Sequence, residues 1–225
     1  NFFAKRLKMK QSKLIGIVLP RMDSVTVGKL LTGINRVLEP AGYQGLLLVS
    51  QLKKKKELAN IVSLQRQGVD GIIIDSIGIT PEHLQLTQSL KLPLVFTGQQ
   101  HPAVHYVKLN DRGAGAMMGD YIRQKGHHRV VFAGVTEADQ AVGQDRRQGF
   151  VQAFQQNHPG AAVKFIETGF DFMSAYSKGD EIRAASPTAG VCATDNIGLG
   201  VRRYLQAQGV AVPDEISVAG FGGYD

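Results

Sequence analysis

The sequence contains a single cysteine, Cys192, and no tryptophan. One cysteine can form neither an internal disulfide nor a cysteine-based zinc site, which excludes the small disulfide-stapled domains of secreted proteins. Cys192 lies in an apolar run, which predicts a buried small side chain. Nothing in the sequence requires an oxidising compartment, so the cytoplasm is the expected location.

Long hydrophobic runs are also missing. There is no uninterrupted apolar stretch of about 18 residues, so no membrane-spanning helix is expected. The N-terminus is basic, but it is not followed by the long apolar segment of a secretory signal peptide. We therefore expect no membrane partner.

The common catalytic signatures are absent as well. The chain has no P-loop, no G-x-G-x-x-G at the first strand-to-helix turn, no G-x-S-x-G and no H-E-x-x-H. The adjacent His127 and His128 lack an evident third ligand, so a turn is favoured over a metal site there. These absences argue against an enzyme, and we expect neither a cofactor nor a metal ion.

The positive charge is concentrated at the N-terminus. The formal net charge is +7, and five of the 26 Lys and Arg residues fall within residues 1–13, which contain no acid. Such an arm suits contact with a polyanion, and a solubilising tail is the alternative. The second basic run, Lys53–Lys56, is interpreted as a solvated helix face, with phosphate or DNA contact as the alternative.

Short apolar runs alternate with amphipathic segments along the chain. The runs are typical of buried parallel strands, and the segments have helical length. The predicted strands are Leu14–Pro20, Gly45–Ser50, Gly71–Ser76, Leu92–Gly98, Val130–Val135, Val163–Gly169, Ala189–Asp195 and Ile216–Gly222. The predicted helices include Gly28–Leu38, Lys55–Gln67, Gly113–Lys125, Arg147–Asn157, Tyr176–Ala185 and Ile197–Gln208. This alternation predicts right-handed strand–helix–strand units in doubly wound sheets.

One segment, Gln99–Asn110, breaks this rhythm. It contains a short extended run, His105–Leu109, and is followed by a new helix. We place the boundary between two similar halves there, at residues 14–110 and 111–225, with residues 1–13 as a linker. The predicted fold class is α/β, with two Rossmann-like parallel-sheet subdomains and a cleft between them.

Glycines and one threonine mark the predicted helix ends. Gly42, Gly68, Gly126 and Gly209 each follow a helix, where a residue in the left-handed region is favoured. Thr80, before Pro81, is the predicted N-cap of a further helix.

Ligands of open α/β sheets bind outside the carboxyl ends of the strands. Side chains at those ends are therefore the candidate site residues. They include Thr26, Asp75, Gln140, Arg146, Phe170, Thr194, Asp195 and Gly222. Carboxylates, an arginine, hydroxyls, an amide and an aromatic ring suit a polyhydroxylated ligand, and Phe170 offers an apolar face for a sugar ring.

Seven phrases, in order and with compatible spacing, resemble the LacI/GalR family over the whole chain. They begin with Asn1-x-x-Ala4-Lys5-x-Leu7 before Leu14-Ile15-Gly16-Ile17, Val69-Asp70-Gly71-Ile72-Ile73, and Gly126-His127-His128-Arg129-Val130. The others are Arg146-x-x-Gly149-Phe150, Ala193-Thr194-Asp195-Asn196-x-Gly198-Leu199-Gly200, and Val212-Pro213-Asp214-Glu215-Ile216-Ser217-Val218-x-Gly220-Phe221.

The resemblance implies a periplasmic-binding-protein-like (type I) core that dimerises and closes on a small effector, usually a sugar. It also implies an N-terminal DNA-reading headpiece, absent from this chain, and a hinge helix of which Ala4, Lys5 and Leu7 are the expected remnant. In the family the leucine wedges into the operator minor groove, and the alternative is an apolar residue on a frayed terminus. Without a headpiece, residues 1–225 are not expected to read a specific operator.

The resemblance also implies roles for individual residues. Arg146 corresponds to the effector-clamping arginine and Phe170 to the aromatic stacking position. Asp75, Thr194 and Asp195 lie at or beside positions lining the cleft, and helix capping is the alternative role for Asp195.

Two departures from the family pattern remove carboxylates. Gly222-Gly223 follows Phe221 where an acid is common, and Gly98-Gln99 replaces a common Asp or Asp-Arg. The ligand is therefore expected to be held differently, and a disaccharide is one candidate for the space. The family pattern also continues beyond Asp225, so we expect a tail that this sequence does not represent.

The sequence thus favours the effector-binding core of a sugar-responsive repressor. The expected partners are a small sugar, operator DNA in the full-length protein, and a second copy of the chain. The apolar stripe of Gly28–Leu38 is one candidate dimer surface, and packing on its own sheet is the alternative for that stripe. A periplasmic-type sugar receptor for transport and an enzyme on a similar sheet are the competing functions.

Overall fold

The computed structural model describes residues 11–223 of the chain. The predicted hinge residues Ala4, Lys5 and Leu7 lie outside the described residues. The chain divides into two compact units, Asn1–Leu109 and Asn110–Asp225. Within the described residues, no helix is long and apolar enough to cross a membrane.

The described part of the first unit contains five strands and three helices. The strands are β1 (Leu14–Leu19), β2 (Gln44–Val49), β3 (Gly71–Asp75), β4 (Leu94–Thr97) and β5 (His105–Val107). The helices are α1 (Val25–Leu38), α2 (Lys54–Arg66) and α3 (Pro81–Ser89). All strand pairs are parallel, in the order β2-β1-β3-β4-β5.

Alternate side chains of β1 explain why helices cover both faces of this sheet. Ile17 and Leu19 are buried in one cluster with Val27 of α1. Val18, between them in sequence, is buried in a separate cluster with Ile61 of α2. Successive side chains of a strand point to opposite faces, so α1 and α2 must lie on opposite sides of the sheet.

The second unit repeats this plan. Its strands are β6 (Arg129–Gly134), β7 (Ala162–Glu167), β8 (Ala189–Cys192) and β9 (Ser217–Ala219), which are parallel in the order β7-β6-β8-β9. Its helices are α4 (Asp111–Gln124), α5 (Arg146–Gln155), α6 (Phe172–Ser177), α7 (Gly179–Ala184) and α8 (Asp195–Ala207). The two parallel-sheet units confirm the predicted α/β fold class, and Cys192 is buried as expected, its thiol pKa raised by burial to about 12.

Three of the predicted helix ends are confirmed: Gly68, Gly126 and Gly209 directly follow the C-caps of α2, α4 and α8. Gly42 instead lies in the turn that follows α1, four residues after Leu38. All four glycines have φ between +72° and +82°, values that glycine adopts at little cost. Thr80 begins α3 through a capping box with His83.

Two segments of the second unit differ from the prediction. The single helix expected at Tyr176–Ala185 is two short helices that meet at Lys178. A π-helical turn, Gln140–Asp145, precedes α5 and was not predicted. Its wide winding leaves no 3.6-residue apolar repeat for a periodicity argument to detect.

Candidate functional site

Each unit has the strand order in which the first strand lies between the second and third, and this order creates a switch point. Connections from β6 and β8 leave the second sheet in opposite directions, so a crevice opens at their carboxyl ends. In the first unit the corresponding strands are β1 and β3. In each unit, polar side chains at the carboxyl ends of these two strands are best placed to meet a ligand.

Arg146 is held at the switch point of the second unit by three different segments. Its Nε and Nη2 donate to Asp111 Oδ1, the former at 3.1 Å, and its Nη1 donates to the carbonyl of Ala193, beyond the end of β8, at 2.5 Å. Its guanidinium also lies over the ring of Phe221, 4.8 Å from the centroid. A guanidinium has five N–H groups, so one hydrogen on Nη1 and one on Nη2 remain to bind a further acceptor.

The contact between α4 and α5 explains why Asp111 and Arg146 meet. Both residues begin their helices, and the helices touch backbone to backbone along glycines. A Cβ on Gly115 would lie 2.0 Å from the carbonyl oxygen of Arg146, and a Cβ on Gly149 would lie 2.0 Å from that of Arg112. Only glycine permits this approach, which brings the two helix starts together.

Asp139 lies beside this ion pair as a second buried carboxylate. Its Oδ1 accepts the amide of Val142 at 2.9 Å and caps the π-helical turn. Burial raises the pKa of Asp139 to about 6, a rise that the nearby Asp111 charge reinforces and that the Val142 hydrogen bond and the Arg146 charge oppose. The carboxylate therefore gains its proton within a mildly acidic range.

Asp139→Asn should stabilise the chain at neutral pH. The pKa of an unfolded aspartate is about 3.9, so the folded state binds the extra proton between pH 4 and pH 6 and its stability falls as pH rises through that window. An amide keeps the cap without the buried charge, which should add about 2–3 kcal/mol to the free energy of unfolding at pH 7.5 and less than about 1 kcal/mol at pH 4. Denaturant titrations at both pH values measure this, with Asp171→Asn, an exposed cap of α6, as the control. An equal gain at both pH values would contradict the assignment.

Other predicted residues of the second unit take their places around this cluster. Thr194 caps α8 by accepting the amide of Ile197 at 3.4 Å, so the capping role proposed for Asp195 belongs to its neighbour. The side chain of Asp195 lies against Gly220, where an added Cβ would be 2.5 Å from Oδ1. Gln140 begins the π-helical turn and is partly buried.

Phe170 and Gly222 lie in loops that follow strands of the second unit. Phe170, after β7, is partly buried and packs against the hydrophobic core of this unit. Gly222, after β9, is exposed and has a φ of 139°. Part of the Phe170 ring is therefore accessible at this edge, while the rest contributes to the core.

Arg147 has different neighbours from Arg146, although it is adjacent in sequence. It pairs with Glu137 and its guanidinium lies 4.2 Å from the centroid of the Phe165 ring. Consecutive residues of an α-helix are rotated by about 100° about its axis, which separates the two side chains. Arg147 is thus directed away from Asp111.

In the first unit, Asp75 ends β3 and Thr26 lies in the first turn of α1. The Oδ1 atom of Asp75 accepts the hydroxyl of Thr97 on the neighbouring β4 at 2.9 Å. Thr26 is exposed. Ser76, next in sequence to Asp75, is instead buried and takes part in a network described below.

Sequence reasoning missed Asp111 and Asp139. The predicted site residues follow strands, whereas Asp111 is the first residue of α4. The available signals were the Asn110-Asp111 pair, typical of a helix start, and the acid that precedes the run to Arg146. Both carboxylates are almost completely buried.

The histidines of the second unit form a separate surface cluster. The Nδ1 of His128 and the Nε2 of His158 are 2.8 Å apart, and His127 contacts Thr188. Within residues 11–223, no three His, Cys, Asp or Glu side chains are placed to hold a metal ion together.

An open groove of about 680 Å³ lies elsewhere on the first unit. It is lined by residues of α2 and α3, among them Leu58, Val62 and Leu86. None of the predicted site residues lines this groove, so the carboxyl ends of the strands remain the candidate site.

Comparisons with known proteins agree with this architecture. Residues 12–225 match the family model described as periplasmic binding proteins and sugar binding domain of LacI family. The chain is 31% identical over 225 residues to the sucrose operon repressor of Staphylococcus xylosus, covering 99% of this chain and 69% of that protein. It is 28% identical to the arabinose metabolism transcriptional repressor of Geobacillus stearothermophilus, covering 97% and 64%.

A solved structure extends the likeness to the fold. The lac repressor dimer bound to operator and the anti-inducer ONPF matches with a TM-score of 0.87 at 18% identity, over 100% of this chain and 80% of that chain. The chain spans about two thirds of the length of the curated relatives named above.

Proposed function

The chain belongs to the family of periplasmic binding proteins and LacI-type sugar-binding domains, and on that premise we propose that it is the effector-binding core of a sugar-responsive transcriptional repressor. The observation that carries the proposal is the Arg146 cluster. Two guanidinium hydrogens remain at a strand switch point, next to the carbonyl of Ala193, the residue that precedes Thr194.

The chemistry of this cluster suits sugar hydroxyls. A guanidinium fixed by Asp111 presents its remaining donors in a constant geometry, so little side-chain entropy is lost on binding. Hydroxyl and carboxyl oxygens at Thr194 and Asp195 can accept hydrogen bonds from the same ligand. Asp75, Thr26, Gln140 and Gly222 complete the proposed effector-binding set.

The relatives support a repressor rather than a transport receptor. The sucrose and arabinose proteins are named as repressors, and the lac repressor structure holds operator DNA. We infer that the full-length protein binds an operator and that a sugar alters this binding. A gel-shift titration of the full-length protein, with and without sugar, separates the repressor from a receptor.

A sugar effector should raise the melting temperature of residues 1–225. A ligand at a hundredfold excess over its Kd stabilises the folded state by about 2.7 kcal/mol, which corresponds to roughly 5–10 °C for a domain of this size. Sucrose, trehalose, arabinose and ribose form the first panel, measured by differential scanning calorimetry. Mannitol is the control for non-specific polyol stabilisation. If none of the four sugars raises the melting temperature more than mannitol does, the proposed site does not bind these sugars.

We also propose that the chain forms a homodimer through the α1–β2 side of the first unit. Leu31 and Ile34 of α1 pack on their own sheet, as the alternative interpretation expected. Val37 of α1, however, is 71% exposed and Leu47 of the edge strand β2 is 39% exposed. Apolar side chains left exposed on one edge are a feature of isologous interfaces.

Val37→Glu should therefore weaken self-association. Sedimentation velocity at micromolar concentration should show a dimer for the parent and a larger monomer fraction for the variant. Val107→Glu is the matched control, because Val107 is 66% exposed at the opposite edge of the same sheet. A monomeric parent, or equal effects of the two substitutions, would count against this interface.

A further inference from the structure

A buried polar network lies in the first unit, beneath the loop that follows β3. Glu57 of α2 and His83 of α3 are 2% and 1% exposed, and Ser76 is 4% exposed. A buried carboxylate that is hydrogen-bonded to a buried imidazole rarely adds stability, because the cost of desolvating the charge offsets the hydrogen bonds that it accepts. The presence of Glu57 and His83 here calls for another explanation.

The hydrogen bonds define which atom of His83 carries the proton. The amide of Thr80 donates to His83 Nδ1 at 3.1 Å, so that nitrogen is an acceptor. In the neutral ring the proton then lies on Nε2, which donates to Glu57 Oε1 at 2.8 Å. The hydroxyl of Ser76 donates to the same oxygen at 2.7 Å.

The network therefore fastens both ends of the loop. Ser76 forms its first residue and also accepts the amide of Gly78 at 3.2 Å. Thr80 forms its last residue and is held by His83. A single carboxylate oxygen of Glu57 thus fixes the start of the loop directly and its end through the imidazole.

Asp75 immediately precedes this loop. Its carboxylate is oriented from β4 by Thr97, and its backbone continues into the fastened Ser76. Asp75 is thus restrained both from the sheet and, through its backbone, from the buried network.

We propose that Glu57 and His83 are positioning residues that hold the 76–80 loop, and through it Asp75, in the conformation that binds the effector. The proposal rests on the proposed function, because Asp75 is the effector residue through which they act. The buried network adds little to the stability of the fold, but it holds the loop in one geometry. Neither Glu57 nor His83 contacts the effector itself.

The first arm of the test measures the loop without any ligand. Glu57→Leu removes the shared acceptor, and the amides of Gly78 and Thr80 should exchange with deuterium at least about tenfold faster. Ser76→Ala, which cuts one link and disturbs the core less, should accelerate the Gly78 amide, and Glu57→Gln, which keeps an acceptor oxygen, should restore slow exchange. Ile61→Val is the matched control, because Ile61 is fully buried on the same helix and outside the network.

The second arm measures sucrose affinity by calorimetric titration in a double-mutant cycle. Ser76→Ala should weaken binding about fivefold in the parent, but less than twofold in an Asp75→Ala background, because its effect passes through Asp75. Unchanged exchange in both Glu57→Leu and Ser76→Ala would overturn the proposal, and so would equal losses of affinity with and without Asp75. If the parent protein does not bind sucrose, the proposed function fails for that sugar. The deuterium-exchange measurement still decides whether the network holds the loop.

Discussion

Arg146→Ala should reduce sugar affinity by about tenfold to a hundredfold and should also destabilise the second unit. Hydrogen bonds to a charged group contribute roughly 1.5–3 kcal/mol each to binding. The substitution also leaves the buried Asp111 without its cation, and breaking such a pair costs about 3–5 kcal/mol. An effect on stability follows from the three intramolecular contacts of Arg146, which the sequence did not reveal.

The two losses can be separated by measuring each directly. Chemical denaturation without sugar gives the stability, and calorimetric titration at a temperature where the variant is folded gives the affinity. Arg147→Ala is the matched control and should change affinity less than twofold. Phe170→Ala tests the stacking face, since it should also weaken binding. Parent-like affinity in both Arg146→Ala and Phe170→Ala would refute the site assignment.

Gly115→Ala should destabilise the second unit by about 3 kcal/mol or more. The new methyl group would overlap the carbonyl of Arg146, so α4 and α5 must separate, and overpacking a tight contact costs about 1–3 kcal/mol even where side chains alone can yield. Here backbone atoms form the obstacle. The separation also pulls Asp111 away from Arg146, so the sugar-induced melting shift should fall as well.

Gly33→Ala should have the opposite effect on stability, although the chemical change is the same. Gly33 lies within α1, and nothing is within 4 Å of the position of an added Cβ. Alanine there should stabilise the helix by roughly 0.5–1 kcal/mol, since it restricts the unfolded chain. Urea titration of both variants decides the matter. A Gly115→Ala variant as stable as the parent would show that α4 and α5 do not require this contact.

The central strands of both units could be predicted because buried parallel strands are short and almost wholly apolar. The run at Gly71–Ser76 differs from β3 by a single residue at its end. Helix ends at Gly68 and Gly209 were predictable because the left-handed conformation strongly favours glycine. Such features can be predicted because they depend on residues that are close together in the sequence.

The site cluster could be predicted only in part, because its geometry depends on contacts between distant segments. Arg146 and Thr194 were candidates because they follow predicted strands, but no sequence pattern near Asp111 indicates that it lies against Arg146. The glycines that bring the two helices together were visible in the sequence as Gly115-x-x-x-Gly119 and Gly149. Their meaning required knowing that α4 and α5 are neighbours.

The contacts of Arg146 also have a consequence for the order in which the second unit assembles. Its bonds to Asp111 and to the carbonyl of Ala193 join residues 35 and 47 positions apart. Such distant contacts are favourable only after the entropy of closing long loops has been lost, so they form late in folding. A substitution at Arg146 should therefore act mainly on the unfolding rate and leave the folding rate nearly unchanged. Occupancy by a sugar that binds the same guanidinium would slow unfolding in turn, and the liganded unit would persist longer as a folded species.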